Sequence, residues 1–187
     1  MTMKMRIALA ALLLCAPLLA SARAAMKTAP QNGVPKSGFR AEWLHDFDDT
    51  SKKIVELAEA VPAAKYNWRP APGVRSVSEV YMHIAGGNYF LASFTGMKPP
   101  GYDTRSLEKI TDKDRVLVEL KKSFDHLRTA ALNATDTDLD KSIKMFGNDT
   151  TERAAFLTAL NHLHEHLGQS IAYARMNGIV PPWSGKE

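Results

Sequence analysis

The residues with the clearest capacity for chemistry are three histidines within five positions, His162, His164 and His166. His162 and His166 are four residues apart, so an α-helix would place both imidazoles on one face, one turn apart. Two neutral imidazoles at this spacing can bind one divalent metal ion, and a third ligand from another helix would complete an open, reactive site. The same geometry turns His164 away from that face, so we expect it to be solvated and outside the site.

His83 is the natural third ligand, because it lies on another segment with helical periodicity. An imidazole on an apolar stripe is commonly a core residue, and that interpretation stays open. Gly86 and Gly87 follow it and would open a cavity or let another helix approach; close helix packing explains them equally well. We predict a metal site of His83, His162 and His166. Their ligand nitrogens should lie about 3–3.5 Å apart, since metal–nitrogen bonds are about 2.0–2.2 Å long.

The acid–base residue that a catalyst needs is less evident. Glu79 lies one turn before His83 and is a candidate hydrogen-bond acceptor for it, or a general base. Its position in the capping-box pattern that begins at Ser76 explains it equally well. Other candidates near the site are Glu165, which we expect to point away, Tyr173 and Asn88. No catalytic residue is therefore assigned.

Other familiar catalytic motifs are missing from the sequence. The His-Glu-x-x-His protease signature is absent, because Leu163 rather than a glutamate follows His162. No nucleophile elbow, phosphate-binding glycine loop or dinucleotide fingerprint occurs. His45 and His126 stand among charged residues, so we expect both to be exposed.

Four amphipathic segments must position the histidines. Their apolar residues recur at helical spacing, and Pro and Gly residues separate them; the predicted helices cover about 39–61, 76–94, 111–133 and 149–177. A short extended piece is expected at 142–146. With almost no other strand signal, the sequence predicts an all-α four-helix bundle. The connections after the second and third helices are long enough for a crossover.

The N-terminus has the pattern of a secretory signal peptide. Lys4 and Arg6 precede an apolar run at 7–20 and a small-x-small cleavage pattern at 22–24. We predict a signal peptide at 1–24, a flexible leader at 25–38 and one bundle domain at 39–187. The protein would then be exported, to the periplasm or the medium. The apolar run is too short to span a membrane, so no membrane association is expected after cleavage.

Signal cleavage would also change the composition. The single cysteine, Cys15, lies within the signal, so the mature chain would have neither a thiolate ligand nor a disulfide. Loss of Lys4, Arg6 and Arg23 leaves 21 basic residues against 20 acidic ones, a net charge of +1. This balance gives no support to nucleic-acid binding.

These features resemble the DinB-like (DinB/YfiT-type) family of metal-dependent four-helix-bundle proteins. The resemblance rests on 68–70, 76–85, 162–169 and 173–182, and covers the chain from about 39 to 184. It implies an up-up-down-down bundle with a long crossover connection. It also implies one divalent metal, nickel or zinc with iron or manganese as further candidates, held by His83, His162 and His166.

Three functions remain open at this stage. Members of the family with known chemistry are thiol-dependent transferases or isomerases, which implies a small-molecule substrate and a metal-activated thiol. Export would remove the chain from cytosolic thiols, so metal-assisted hydrolysis stands beside thiol transfer. The alternative is a non-catalytic metal- or ligand-binding bundle of the cell envelope, with a homodimer as a candidate assembly.

Overall fold

A computed structural model describes residues 33–185, and within this range the chain is a four-helix bundle. The elements are α1 (Phe39–Ala60), α2 (Val77–Ser93), α3 (Lys113–Asn133), β1 (Ser142–Met145), β2 (Asn148–Thr151) and α4 (Glu152–Met176). The all-α prediction is confirmed, with a two-stranded hairpin as a minor addition. The signal peptide predicted at 1–24 and the leader up to residue 32 lie outside the described residues.

Helices α2, α3 and α4 each begin where a side chain satisfies one of their first free amide groups. At α2, the Ser76 hydroxyl accepts from the Glu79 amide while the Glu79 carboxylate accepts from the Ser76 amide, so the predicted capping box is present. Asp112 caps α3 and Thr151 caps α4, each through one side-chain oxygen that accepts from the backbone amide three residues on. Helix α4 starts slightly later than predicted because 148–151 pair with β1 instead.

The core is apolar and draws on all four helices. Fully buried large side chains include Phe47, Leu57, Tyr81, Ile84, Leu120, Leu127, Phe156 and Leu163. Each such side chain contributes about 1.5–3 kcal/mol through its removal from water. Packing of this kind stabilises the bundle whether or not a metal is bound.

Helices α1 and α4 run in the same direction. Near their N-termini, the Trp43 indole N–H donates to the carbonyl of Phe156 at 2.7 Å. Further along both helices, Thr50 is hydrogen-bonded to His164. Residue numbers therefore increase together along this pair.

Helices α2 and α3 run opposite to α1 and α4. The start of α3 lies beside the end of α1, where the Lys113 ammonium donates to the carbonyl of Val61. The start of α2 lies beside the end of α4, where the Tyr173 hydroxyl donates to the carbonyl of Arg75. The helix directions are thus up, down, down, up.

This order differs from the up-up-down-down order that the family resemblance implied, although the predicted crossover is present. The turns around Tyr66, whose carbonyl accepts from the amide of Ser78, return the chain directly from α1 into an antiparallel α2. The connection at 94–112 then runs back along the bundle before α3 starts. Within residues 33–185, no helix combines the length and apolarity needed to cross a bilayer.

Candidate metal centre

Three imidazoles meet between α2 and α4. The ring centroid of His83 lies 5.1 Å from that of His162 and 4.8 Å from that of His166, and the last two are 4.5 Å apart. One nitrogen from each ring lies within 4.8 Å of the other two. This upper bound exceeds the predicted 3–3.5 Å, a difference within reach of small side-chain rotations. The predicted trio is therefore assembled, with two ligands from one helix and one from its antiparallel neighbour.

The missing side chain at Gly87 makes room for His162. A β-carbon at Gly87 would lie 2.5 Å from Cε1 of His162, far inside van der Waals contact. At Gly86 the nearest atom to such a carbon is the carbonyl oxygen of Thr104 at 3.6 Å, which is an ordinary contact. The two glycines thus have different roles: Gly87 admits the imidazole, whereas Gly86 faces the crossover connection.

A carboxylate from the crossover connection orients His83. Nδ1 of His83 lies 3.1 Å from Oε1 of Glu108. A carboxylate is an acceptor, so Nδ1 carries the proton and Nε2 keeps its lone pair for a ligand. Burial and the nearby Arg75 lower the pKa of His83, and Glu108 opposes this effect. Glu108 was missed by sequence reasoning, because nothing in the sequence places this part of the connection beside His83.

His166 is oriented by a neighbour on its own helix. Its Nδ1 lies 2.8 Å from Oε1 of Gln169, whose amide nitrogen donates to the hydroxyl of Tyr173 at 3.1 Å. Tyr173 in turn donates to the backbone carbonyl of Arg75. This chain fixes the Gln169 amide with its oxygen toward His166, so the Nε2 lone pair of His166 is also left free.

Arg75 connects the two supports. Its guanidinium Nε lies 3.3 Å from Oε2 of Glu108, while its carbonyl accepts from Tyr173. Arg75 therefore links the two sets of hydrogen bonds: its side chain bonds to the partner of His83, and its backbone bonds to Tyr173, which contacts the partner of His166. Partners of this kind orient ligand histidines and raise their basicity in known metal sites.

His162 has the environment of a ligand kept neutral. Its Nδ1 is buried and has no hydrogen-bond partner among residues 33–185. Burial, together with His166, His83 and Arg75, lowers the pKa of His162 to about 4. A buried nitrogen without a partner costs free energy, and a bound cation would supply the missing interaction. The residues present therefore fit a divalent metal ion.

The site opens on a groove of about 310 Å³. The groove is lined by Met82, His83, Gly86, Gly87, Phe90, Thr104, Arg105 and Glu108. The side chain of His83 is 31% exposed, whereas His166 is buried. Access from solvent therefore comes from the side of α2 and the crossover connection.

The candidate acid–base residues take other roles. Glu79 accepts from the Ser76 amide and pairs with Arg69, and these contacts lower the pKa of its carboxyl group. It makes no hydrogen bond with His83, so the capping interpretation is correct. Glu165 is exposed, as expected. Asn88 donates to Ser123 on α3.

The remaining histidines lie outside the trio. His164 is exposed as predicted, but its ring is also held by the Leu160 carbonyl and the Thr50 hydroxyl, each at 3.1 Å. His45 is exposed. The expectation that His126 is exposed is wrong, because its ring packs on Tyr89 with centroids 5.0 Å apart. Burial there lowers the pKa of His126.

Comparison with known proteins supports the resemblance found in the sequence. Protein YjoA of Bacillus subtilis (strain 168), described as uncharacterized, is 30% identical over 129 residues, which cover 66% of this chain and 80% of YjoA. The crystal structure of YjoA, described as DinB-like, has a TM-score of 0.58 at 26% identity and covers 73% of this chain and 92% of YjoA.

A DinB-like protein from Bacillus cereus ATCC 10987 shares the fold at 21% identity. Its structure has a TM-score of 0.67 and covers 75% of this chain and 93% of that protein. The DinB superfamily profile matches residues 46–170, which include all three histidines. From this match and the shared bundle, we conclude that the chain belongs to the DinB superfamily.

Proposed function

We propose that this protein binds one divalent metal ion, nickel or zinc, through His83, His162 and His166 and uses it to act on a small molecule. The observation that carries the proposal is the convergence of three ligand nitrogens within 4.8 Å of one another. Two of the rings are held so that Nε2 is available. This support would be superfluous for three histidines with only a packing role.

The open groove favours catalysis over a purely structural ion. Structural metal sites are closed by four protein ligands, whereas catalytic ones keep a position for water or substrate. Here three ligands lie together, and His83 borders a groove that reaches solvent. We therefore favour an enzyme over the alternative of a non-catalytic metal-binding bundle.

The chemistry follows from the charge of the ligand set. A divalent ion on three neutral imidazoles keeps its full positive charge, and it lowers the pKa of a bound water or thiol. Glu108 borders the groove and accepts from His83, so it holds that ring and can also take part in proton transfer. The proposed reactions are hydrolysis, with water as the nucleophile, or transfer to a small thiol.

Export is the second part of the proposal, and it rests on the N-terminal pattern of residues 1–24. It favours water over cytosolic thiols as the nucleophile. The proposed compartment is the periplasm or the external medium.

Metal analysis of protein purified without a histidine tag tests the proposal. We expect close to one nickel or zinc ion per chain in the unmodified protein and near none in His166→Ala. Ester, amide and thiol-plus-electrophile substrates should then be screened with and without chelator. Turnover that chelator removes would support an enzyme. A chain that binds no metal would refute the proposal, and a metal-bound chain inert to all classes would favour the non-catalytic alternative.

A further inference from the structure

An aromatic cluster borders the groove, and its role depends on the function proposed above. Phe90 lies in the last turn of α2 and Phe94 directly follows that helix, with ring centroids 5.0 Å apart. The ring of Phe146, from the hairpin between α3 and α4, lies 5.9 Å from each of them. Phe90 itself lines the groove that contains His83. The cluster and the metal centre therefore share one surface.

The cluster is exposed to an extent that packing alone does not explain. Phe90 is 50% exposed and Phe146 is 63% exposed. Each large aromatic side chain left in water forgoes much of the roughly 1.5–3 kcal/mol that full burial would provide. These two exposed rings, in contact with the partly buried Phe94, leave an apolar surface available to a ligand.

The backbone at Phe146 is strained. Its φ is 51°, in the left-handed region, and the following Gly147 has φ 83°. Glycine and asparagine favour this conformation at a hairpin turn, whereas a bulky aromatic residue is unusual there. A strained residue whose exposed ring lies against a groove-lining ring, that of Phe90, is more typical of a binding site than of a turn selected for stability.

The distance between His83 and Phe90 along α2 indicates how long a ligand must be to reach both. Phe90 follows His83 by seven residues, about two helical turns or roughly 10 Å along the axis. A molecule bound at the three histidines through one end would therefore reach the rings of Phe90 and Phe146 with its other end.

We propose that Phe90, Phe94 and Phe146 bind an aromatic or similarly flat apolar group of the substrate, about 10 Å from the group that meets the metal. The substrate class is thus an elongated small molecule with a polar, metal-binding end and an apolar end. The continuity of the rings with the groove of His83 favours this occupant over a protein partner.

A series of hydroxamates tests this inference with zinc-loaded protein. Acetohydroxamate binds metal without reaching the cluster, whereas phenylalkyl hydroxamates carry a phenyl group at increasing distance. We expect affinity to rise roughly tenfold or more over acetohydroxamate at an intermediate chain length. Phe146→Asn and Phe90→Ala should each remove most of this gain in affinity. The control is Met176→Ala, at an exposed apolar position at the C-terminal end of α4, whereas the hairpin that carries Phe146 precedes the N-terminal end.

Thermal unfolding separates binding from a structural role. Asparagine adopts the left-handed conformation more readily than phenylalanine, so Phe146→Asn should keep or raise the melting temperature. The increase in hydroxamate affinity that the phenyl group provides should nevertheless be lost. If the variant instead destabilises the protein with the gain intact, the cluster only anchors the hairpin and the inference is wrong. A change from dimer to monomer with the gain intact would identify a self-association surface and equally overturn it.

The two proposals fail in different ways. If zinc-loaded protein does not bind acetohydroxamate, or if no zinc is retained, the metal site is refuted and this inference falls with it. If acetohydroxamate binds but no phenyl compound binds more tightly, the metal site stands and only the aromatic subsite is refuted.

Discussion

Oε1 of Glu108 lies 3.1 Å from Nδ1 of His83, so a residue of the crossover connection orients an imidazole of α2. Removing such a support typically weakens metal binding about 10–100-fold. Glu108→Ala should lower metal affinity by that factor, whereas Glu108→Gln, whose amide oxygen still accepts from Nδ1, should lose less. Competition with a chromophoric chelator measures both. Glu165→Ala, exposed on α4, is the control, and a loss as large as that of Glu108→Ala would contradict the assigned role.

His166 and His164 should differ in their effect on metal-dependent stability. A metal that binds only the folded state raises the melting temperature. His166→Ala should remove most of this rise, because it deletes a ligand, whereas His164→Ala should keep it. Thermal melts with and without chelator make the comparison. The chelated unmodified protein should remain folded, since the apolar core does not depend on the ion; an equal loss in both variants would refute the ligand assignment.

The two glycines of α2 offer a matched pair of substitutions. Gly86→Ala meets only an ordinary contact, so it should stabilise the helix by about 0.5–1 kcal/mol. Gly87→Ala would place its β-carbon 2.5 Å from the ring of His162. It should displace that ring and weaken metal binding at least tenfold, roughly the effect of a lost orienting contact. Denaturant unfolding and metal titration of both variants test this; unchanged affinity in Gly87→Ala would show that His162 is not a ligand.

The chelated protein should lose stability as the pH falls from about 6.5 to 4. The folded-state pKa of His162 is lowered to about 4, so between these values the unfolded chain binds more protons than the folded one. Protonation of residue 162 in the unfolded chain therefore leaves the free energy of unfolding unaffected above pH 6.5 and reduces it progressively as the pH falls. His162→Gln should flatten this dependence in urea unfolding with chelator present. His45→Gln, at an exposed position, controls for the loss of one histidine, and an unchanged slope in His162→Gln would contradict the prediction.

Export can be tested directly. If residues 1–24 act as a signal, mature protein from the native host should begin near residue 25 or 26 and occur outside the cytosol. Intact-mass and N-terminal peptide measurements on fractionated cells decide the matter. A cytosolic protein with its N-terminus intact would show that the apolar run has another role.

Local patterns were sufficient to predict the helices and to place His162 and His166 on one helix face. The capping box at Ser76 and the spacing of His162 and His166 depend only on neighbouring residues, and both are present in the structure. The role of Glu108 was not predictable, because it depends on the path of the crossover connection. Strand β2 was missed because its polar sequence also resembles the start of a helix.

The directions of the helices could likewise not be predicted from the sequence. They depend on which connection turns back at once and which one runs along the bundle, and both connections are long. His126 was misjudged for a similar reason: its charged neighbours in sequence said nothing of Tyr89 on another helix, against which it packs.

The topology also determines when the metal site can form. His162 and His166 are one turn apart and can meet in an isolated α4, but His83 joins them only after an antiparallel α2 has docked. Its support from Glu108 requires the crossover connection to be in place as well. Tight capture of a metal ion is therefore a late event of folding, and an unfolded chain in transit would carry at most a weak two-histidine site. An exported chain would then select its ion from the compartment in which it folds, rather than from the one in which it is made.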